Sequence, residues 1–134
     1  MKKQVLFLCT GNSARSQMAE GLVNHLRGET WQAFSAGTYP SGHVHPLAIE
    51  AMGEMGVDIS TARSKSADEF RNTTLDLVIT VCDDAAEECP IWLGVGKRMH
   101  LGFPDPAKGS LDDFRGVRDA IRQKVIPVLE GMKK

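Results

Sequence analysis

The sequence predicts an α/β fold: one domain built on an open parallel sheet with helices on both faces. Three observations lead there. Short apolar runs alternate along the chain with stretches whose apolar residues recur at helical spacing. Leu75-Asp-Leu-Val-Ile-Thr-Val81 is nearly continuous in apolar residues, as a central parallel strand buried on both sides should be. A length of 134 residues with 42% hydrophobic content supplies one core without staples, so 1–134 reads as a single domain.

The first strand is expected at about 4–9, where Val5-Leu-Phe-Leu8 is apolar throughout. A helix follows at about 15–28, with Met18, Leu22 and Leu26 on one face and Gly28 placed to close it. Trp31-Gln-Ala-Phe-Ser-Ala-Gly37 alternates and reads as the second strand, and 38–44 reads as loop. Pro46 suits the first turn of a second helix carrying Leu47, Ala51 and Met55, ended by Gly56. A short helix is expected within 64–71, a strand at 75–81, and another short helix at 83–88 that Cys89-Pro90 stops. Arg98-Met-His-Leu101 is the last strand. Ser110 with Asp113 resembles a capping box ahead of a final helix with Phe114, Val117, Ile121 and Val125 on one face. Pro127 should kink or end that helix.

A formal charge of −1 with no basic block excludes nucleic acid and anionic membrane surfaces as expected partners. Met1-Lys-Lys before an apolar run faintly imitates an export signal, but the run is too short for one. Three cysteines is an odd count, and cytosolic cysteines are more often reactive than structural. Cytoplasm is therefore the expected compartment, and a monomer the expected state. His43 and His45 have chelating spacing, but no third ligand lies nearby in sequence, so no metal site is expected. Trp31 and Trp92 read as packing residues.

The stretch at 5–16 organises the chemistry. Cys9 ends a strand, Arg15 opens a helix, and five residues lie between them. That spacing suits a loop, Thr10, Gly11, Asn12, Ser13 and Ala14, whose backbone N–H groups point inward at an anion beside the N–H groups of the helix start, at Arg15 and Ser16. Gly11 and Asn12 tolerate the positive φ such a nest requires. Arg15 can grip two oxygens of a tetrahedral oxyanion side by side. Cys9, aimed into the same donors, is the candidate nucleophile, because positive electrostatics favour the thiolate. In open parallel sheets ligands sit beyond the carboxyl ends of the strands, where Cys9 falls.

Cys82 ends the strand at 75–81, and Cys89 lies seven residues on. Were 83–88 helical, the two would share a face about 10 Å apart along the axis, whereas a disulfide needs Cα atoms within roughly 7 Å. Either they never pair, or pairing requires the segment to unwind.

Cys9-Thr-Gly-Asn-Ser-Ala-Arg15-Ser16, followed by Gln-Met-Ala-Glu20, resembles the CX5R signature of the low-molecular-weight protein tyrosine phosphatase superfamily, which includes the thioredoxin-coupled arsenate reductases. The spacing Cys82-Asp-Asp-Ala-Ala-Glu-Glu-Cys89-Pro90 is similar to the redox pair of those reductases, and His100-Leu-Gly-Phe-Pro-Asp105-Pro106-Ala107 to the family's general-acid loop. The resemblance implies a four-stranded sheet in the order 2-1-3-4 and an arsenate- or phosphate-like oxyanion held at 10–16. It implies Cys9 as nucleophile, Asp105 as proton donor, Ser16 as hydrogen-bond donor to the Cys9 thiolate, and Cys82 then Cys89 as the redox pair regenerated by thioredoxin. No organic cofactor is implied.

Two departures matter. Ala14 stands where many relatives have a second loop cysteine, which leaves the relay untouched. Lys65 stands where some reductases place an acidic residue that helps hold potassium, while Asn12, Glu20 and Ser35 match the other potassium-associated positions. A lysine ammonium could take that charge, so potassium dependence is expected to be weak or absent. Ala107, where the phosphatases usually carry aromatic residues, favours a small inorganic substrate. The alternatives are a phosphatase using Cys9, Arg15 and Asp105, which would have no use for Cys82 and Cys89, and a non-enzymatic oxyanion or redox sensor, which would need no Asp105.

Overall fold

The computed structural model describes residues 2–82 and 97–131. Four parallel strands, β1 (Lys3–Cys9), β2 (Trp31–Gly37), β3 (Leu77–Thr80) and β4 (Lys97–His100), form one sheet in the order β2-β1-β3-β4. Among the described residues, three α-helices accompany them: α1 (Arg15–Leu26), α2 (Pro46–Gly53) and α3 (Leu111–Gly131), with a 3₁₀ turn at Ala67–Phe70. The order implied by the resemblance is thus the one observed.

The alternation of β1 divides the core. Val5, Phe7 and Cys9 face the helices, in one cluster with Met18 and Leu22 of α1, Ala48 and Met52 of α2, and Phe114, Ile121 and Val125 of α3. Leu6 and Leu8 face the other way, with Leu75, Val78 and the 3₁₀ turn's Phe70. Being buried on both sides is what made β1 and β3 read as continuous apolar runs.

Differences from the sequence expectations have local causes. The ladder of β3 is four residues long, but Asp76 N–H donates to Gln4 O and Val81 N–H to Leu8 O, so bonding to β1 spans most of 75–81. Only 67–70 of the expected 64–71 helix is helical, with Ser66 as its cap. The helix beginning at Pro46 stops at Gly53, and the turn after it closes on Gly56 at φ +78°. Asp113 accepts the Ser110 N–H at 2.9 Å, the carboxylate half of a capping box, while the Ser110 hydroxyl also turns to Asp113.

Pro127 does not end the last helix. It sits on the exposed face of α3, which runs on to Gly131 with Ile126 and Leu129 buried. A proline inside a helix costs about 3 kcal/mol. Burying those two side chains returns about 1.5–3 kcal/mol each. Packing wins over propensity. The helix expected at 83–88, with Cys89, Pro90 and Trp92, lies outside the described residues.

Candidate active site

All four strands point their carboxyl ends at one edge of the sheet. β1 has β2 on one side and β3 on the other, so Cys9 lies where the strand order reverses, the usual ligand crevice of such sheets.

The loop after Cys9 is held from outside by its carbonyls. Thr10 O accepts from Tyr39 N–H, Gly11 O from Ser41 N–H and the Ser64 hydroxyl, Asn12 O from the Gln17 amide, Ser13 O from His45 N–H, and Ala14 O from Met18 N–H. In a planar trans peptide the N–H points opposite the C=O. Five successive carbonyls turned outward therefore turn the N–H groups of residues 11–15 inward, and Asn12 N–H donates to Cys9 Sγ at 3.2 Å. The α1 N-terminus joins this ring without a side-chain cap or an acidic residue in its first turn, although Ala14, Arg15, Ser16 and Gln17 are all buried. A buried helix start lacking a side-chain cap favours an anion.

Asn12 keys the loop. It is the only non-glycine residue with positive φ among those described, at 48°, and its side chain makes three hydrogen bonds. Its amide donates to Ser16 Oγ at 2.8 Å, and its carbonyl accepts from Gln17 Nε2 at 3.0 Å and Lys65 N–H at 2.9 Å. Ser16 Oγ, so oriented, lies 2.9 Å from Cys9 Sγ, where its hydroxyl can donate to a thiolate. Gly37 pairs with Cys9 across β1 and β2, and a Cβ there would meet Thr10 O at 2.4 Å. Only glycine admits the loop this close.

Arg15 reaches across the cradle. It donates to Phe103 O at 3.2 Å, and its Nη2 lies 3.6 Å from Asp105 Oδ2. Phe103 is buried and its N–H bonds Val81 O, which fixes the approach of the loop bearing the half-exposed Asp105. Asp105 Oδ1 accepts Ala107 N–H at 3.0 Å, so the carboxylate braces its own turn.

Lys65 and Glu20 form an ion pair at 3.6 Å on the outer side of the loop; Lys65 Nζ also donates to Arg63 O at 2.9 Å, and Glu20 accepts from the Ser35 hydroxyl at 2.5 Å. An ammonium thus lies beside the Glu20 carboxylate. Among the described residues no group of three or more His, Cys, Asp or Glu could hold a metal ion, and no helix is long and apolar enough to cross a membrane.

The structure therefore gathers Cys9, Thr10, Gly11, Asn12, Ser13, Ala14, Arg15, Ser16 and Asp105 into one site. Cys82 lies on the same edge, one residue past Val81, whose N–H bonds Leu8 O beside Cys9. Cys82 is fully buried and held in a disulfide, whereas Cys9 is a free thiol. Cys89 lies outside the described residues. Sequence reasoning missed Gln17, whose amide bonds Asn12 O, Asn12 Oδ1 and Arg63 O, and Gly37. Gln17 carried a signal, since it directly follows Ser16. Gly37 carried none beyond ending a strand.

The family model for low molecular weight phosphotyrosine protein phosphatase matches residues 4–134. Arsenate reductase 2 of Staphylococcus saprophyticus is 48% identical over 124 residues, covering 92% of this chain and 94% of that protein. A solved arsenate reductase in the phosphate binding state superposes with a TM-score of 0.82 at 34% identity, covering 98% of this chain and 99% of that one. A low molecular weight protein tyrosine phosphatase from T. tengcongensis superposes with a TM-score of 0.76 at 26% identity, covering 98% of this chain and 100% of that one.

Proposed function

This chain belongs to the low molecular weight phosphotyrosine protein phosphatase family, and we propose that it is an arsenate reductase using three cysteines in turn, regenerated by thioredoxin. The single observation that carries the reading is the pairing of a free Cys9 inside an oxyanion cradle with a second, oxidised cysteine, Cys82, on the same sheet edge. A hydrolase of phosphate esters needs only the first.

Arsenate binds to the N–H groups of the loop and to Arg15. The Cys9 thiolate attacks arsenic, and Asp105 protonates the departing oxygen, which leaves as water. Cys82 then attacks the sulfur of that adduct. The sulfur–arsenic bond breaks with its electron pair going to arsenic, which leaves as arsenite, and a Cys9–Cys82 disulfide remains. Cys89 attacks Cys82 and releases the Cys9 thiolate, and two thiols of thioredoxin reduce the resulting Cys82–Cys89 bond. The ladder of β3 ends at Thr80 and the chain bends at Cys82, so Cys82 sits past the strand, at the carboxyl edge of the sheet that also carries Cys9.

This reading makes the chain a cytoplasmic monomer that needs no bound cofactor, with Lys65 in the place of potassium. The same cradle accepts phosphate esters, so weak phosphatase activity accompanies reduction. The test is arsenate-dependent NADPH oxidation with thioredoxin and its reductase. Cys89→Ser is expected to stop after one turnover with Cys9 and Cys82 joined, as peptide mapping without reductant would reveal. Repeated turnover of that variant on thioredoxin alone would refute the relay.

A further inference from the structure

His45, which no step above uses, sits where three parts of the site meet. Its backbone N–H donates to Ser13 O in the oxyanion loop at 2.9 Å. Its Nδ1 accepts Leu47 N–H at 3.1 Å and so caps α2, an unusual choice where Ser, Thr, Asp or Asn is the rule. Its Nε2 lies 3.1 Å from Ala107 O, two residues beyond Asp105. The tautomer follows from the partners. Leu47 N–H can only donate, so Nδ1 carries no proton; Ala107 O can only accept, so Nε2 carries it. The ring is further fixed against buried Phe114 of α3, centroids 4.6 Å apart.

Residues 104–109 otherwise hold to other elements weakly. Among the described residues, the hydrogen bond from His45 and the Arg15–Asp105 pair are their only polar ties outside the loop. The Ala107 backbone is gripped on both sides of its Cα: its N–H by Asp105 Oδ1, its C=O by His45.

We propose that His45 is a positioning residue for the general acid: its Nε2–H holds the Ala107 carbonyl so that the Asp105 turn faces the cradle. The proposal rests on the reading of Asp105 as the proton donor. The two ring nitrogens have separate mimics. Asparagine places an oxygen near the Nδ1 position and keeps the α2 cap, but does not reach Ala107. Glutamine places an N–H near the Nε2 position and loses the cap. The backbone bond to Ser13 survives in both.

The experiment compares kcat/KM for phenyl phosphate, whose poor leaving group needs an acid, with that for p-nitrophenyl phosphate, which needs one far less. Inhibition by inorganic phosphate reports the cradle, and kcat/KM for arsenate runs alongside. His45→Asn is expected to lose about tenfold on phenyl phosphate and arsenate, with p-nitrophenyl phosphate and phosphate inhibition within about twofold, a modest part of the 10²–10⁴ that general acid catalysis supplies. His45→Gln should recover most of the loss while lowering Tm. Asp105→Asn is the control. Should it spare phenyl phosphate and arsenate, the acid assignment itself is wrong. Should it be selective while His45→Asn slows both esters equally or weakens phosphate inhibition, His45 is a structural residue and the proposal is overturned. If ester hydrolysis is too slow to measure, an unchanged arsenate kcat/KM in His45→Asn overturns it alone.

Discussion

Replacing Gly37 with alanine should damage catalysis without touching a catalytic group. The added Cβ would lie 2.4 Å from Thr10 O and 3.0 Å from Asn12 N, both backbone atoms of the oxyanion loop, where ordinary contact begins near 3.4 Å. About 1 Å must be found, and a methyl forced into packed surroundings costs about 1–3 kcal/mol. The strand cannot retreat, because Gly37 pairs with Cys9 and its N–H bonds Lys65 O at 2.9 Å. The loop must yield instead, and with it the N–H groups of residues 11 and 12. A displacement of about 1 Å at a reacting centre costs about 10² in rate. The variant is therefore expected to lose about a hundredfold in kcat/KM for arsenate, with phosphate inhibition weakened in parallel. For a chain of this size Tm should fall by roughly 3–5 °C per kcal/mol of strain. Gly53→Ala, where a Cβ meets nothing within 4 Å, is the matched control and should leave activity unchanged. Activity of Gly37→Ala within twofold of the parent would refute the argument that this close approach sets the cradle's shape.

Three further outcomes are expected. Turnover in potassium and sodium salts at equal ionic strength should agree within about twofold, because the Lys65 ammonium already lies 3.6 Å from Glu20; strong activation by potassium would sink that assignment. Hydrogen bonds from Arg115 and then Arg118 hold the Glu54 carboxyl down to about 2, joining the end of α2 to α3. A folded-state value below the ordinary one stabilises above about pH 4.5, and that stabilisation is lost as pH falls through about 2. Glu54→Gln should therefore lower Tm at pH 7, by an amount that shrinks between pH 4.5 and 2; a constant difference would contradict it. Pro127→Ala restores a helix N–H on the exposed face of α3 and should raise Tm, by up to about 3 kcal/mol in stability; a fall in Tm would show that the proline ring is itself packed to advantage.

Much of the site was legible in the chain because its parts are local. A strand end, five loop residues and a helix start lie within 9–16, and each needs a residue type that sequence displays: a thiol, a residue tolerant of positive φ, a guanidinium. The strand pattern was legible for the same reason, since burial on both faces writes itself as an apolar run. Helix ends were not, as Pro127 shows, because whether a break propagates depends on what the far side packs against.

What the sequence by itself determined was the set of groups available: one thiol in a strand-to-helix turn, a carboxylate in an Asp-Pro loop, and two further thiols. Only the tertiary structure decided how tightly those pieces are held. Gly37 lies under the loop through strand pairing, Gln17 and Lys65 lock Asn12 from two directions, and His45 spans the loop after Cys9 and the Asp105 turn. Such contacts join residues as many as 62 positions apart. No periodicity or local preference encodes them; they exist because the sheet order brings four strand ends to one edge, and the polar groups crowded there must find partners among whatever the fold has placed beside them.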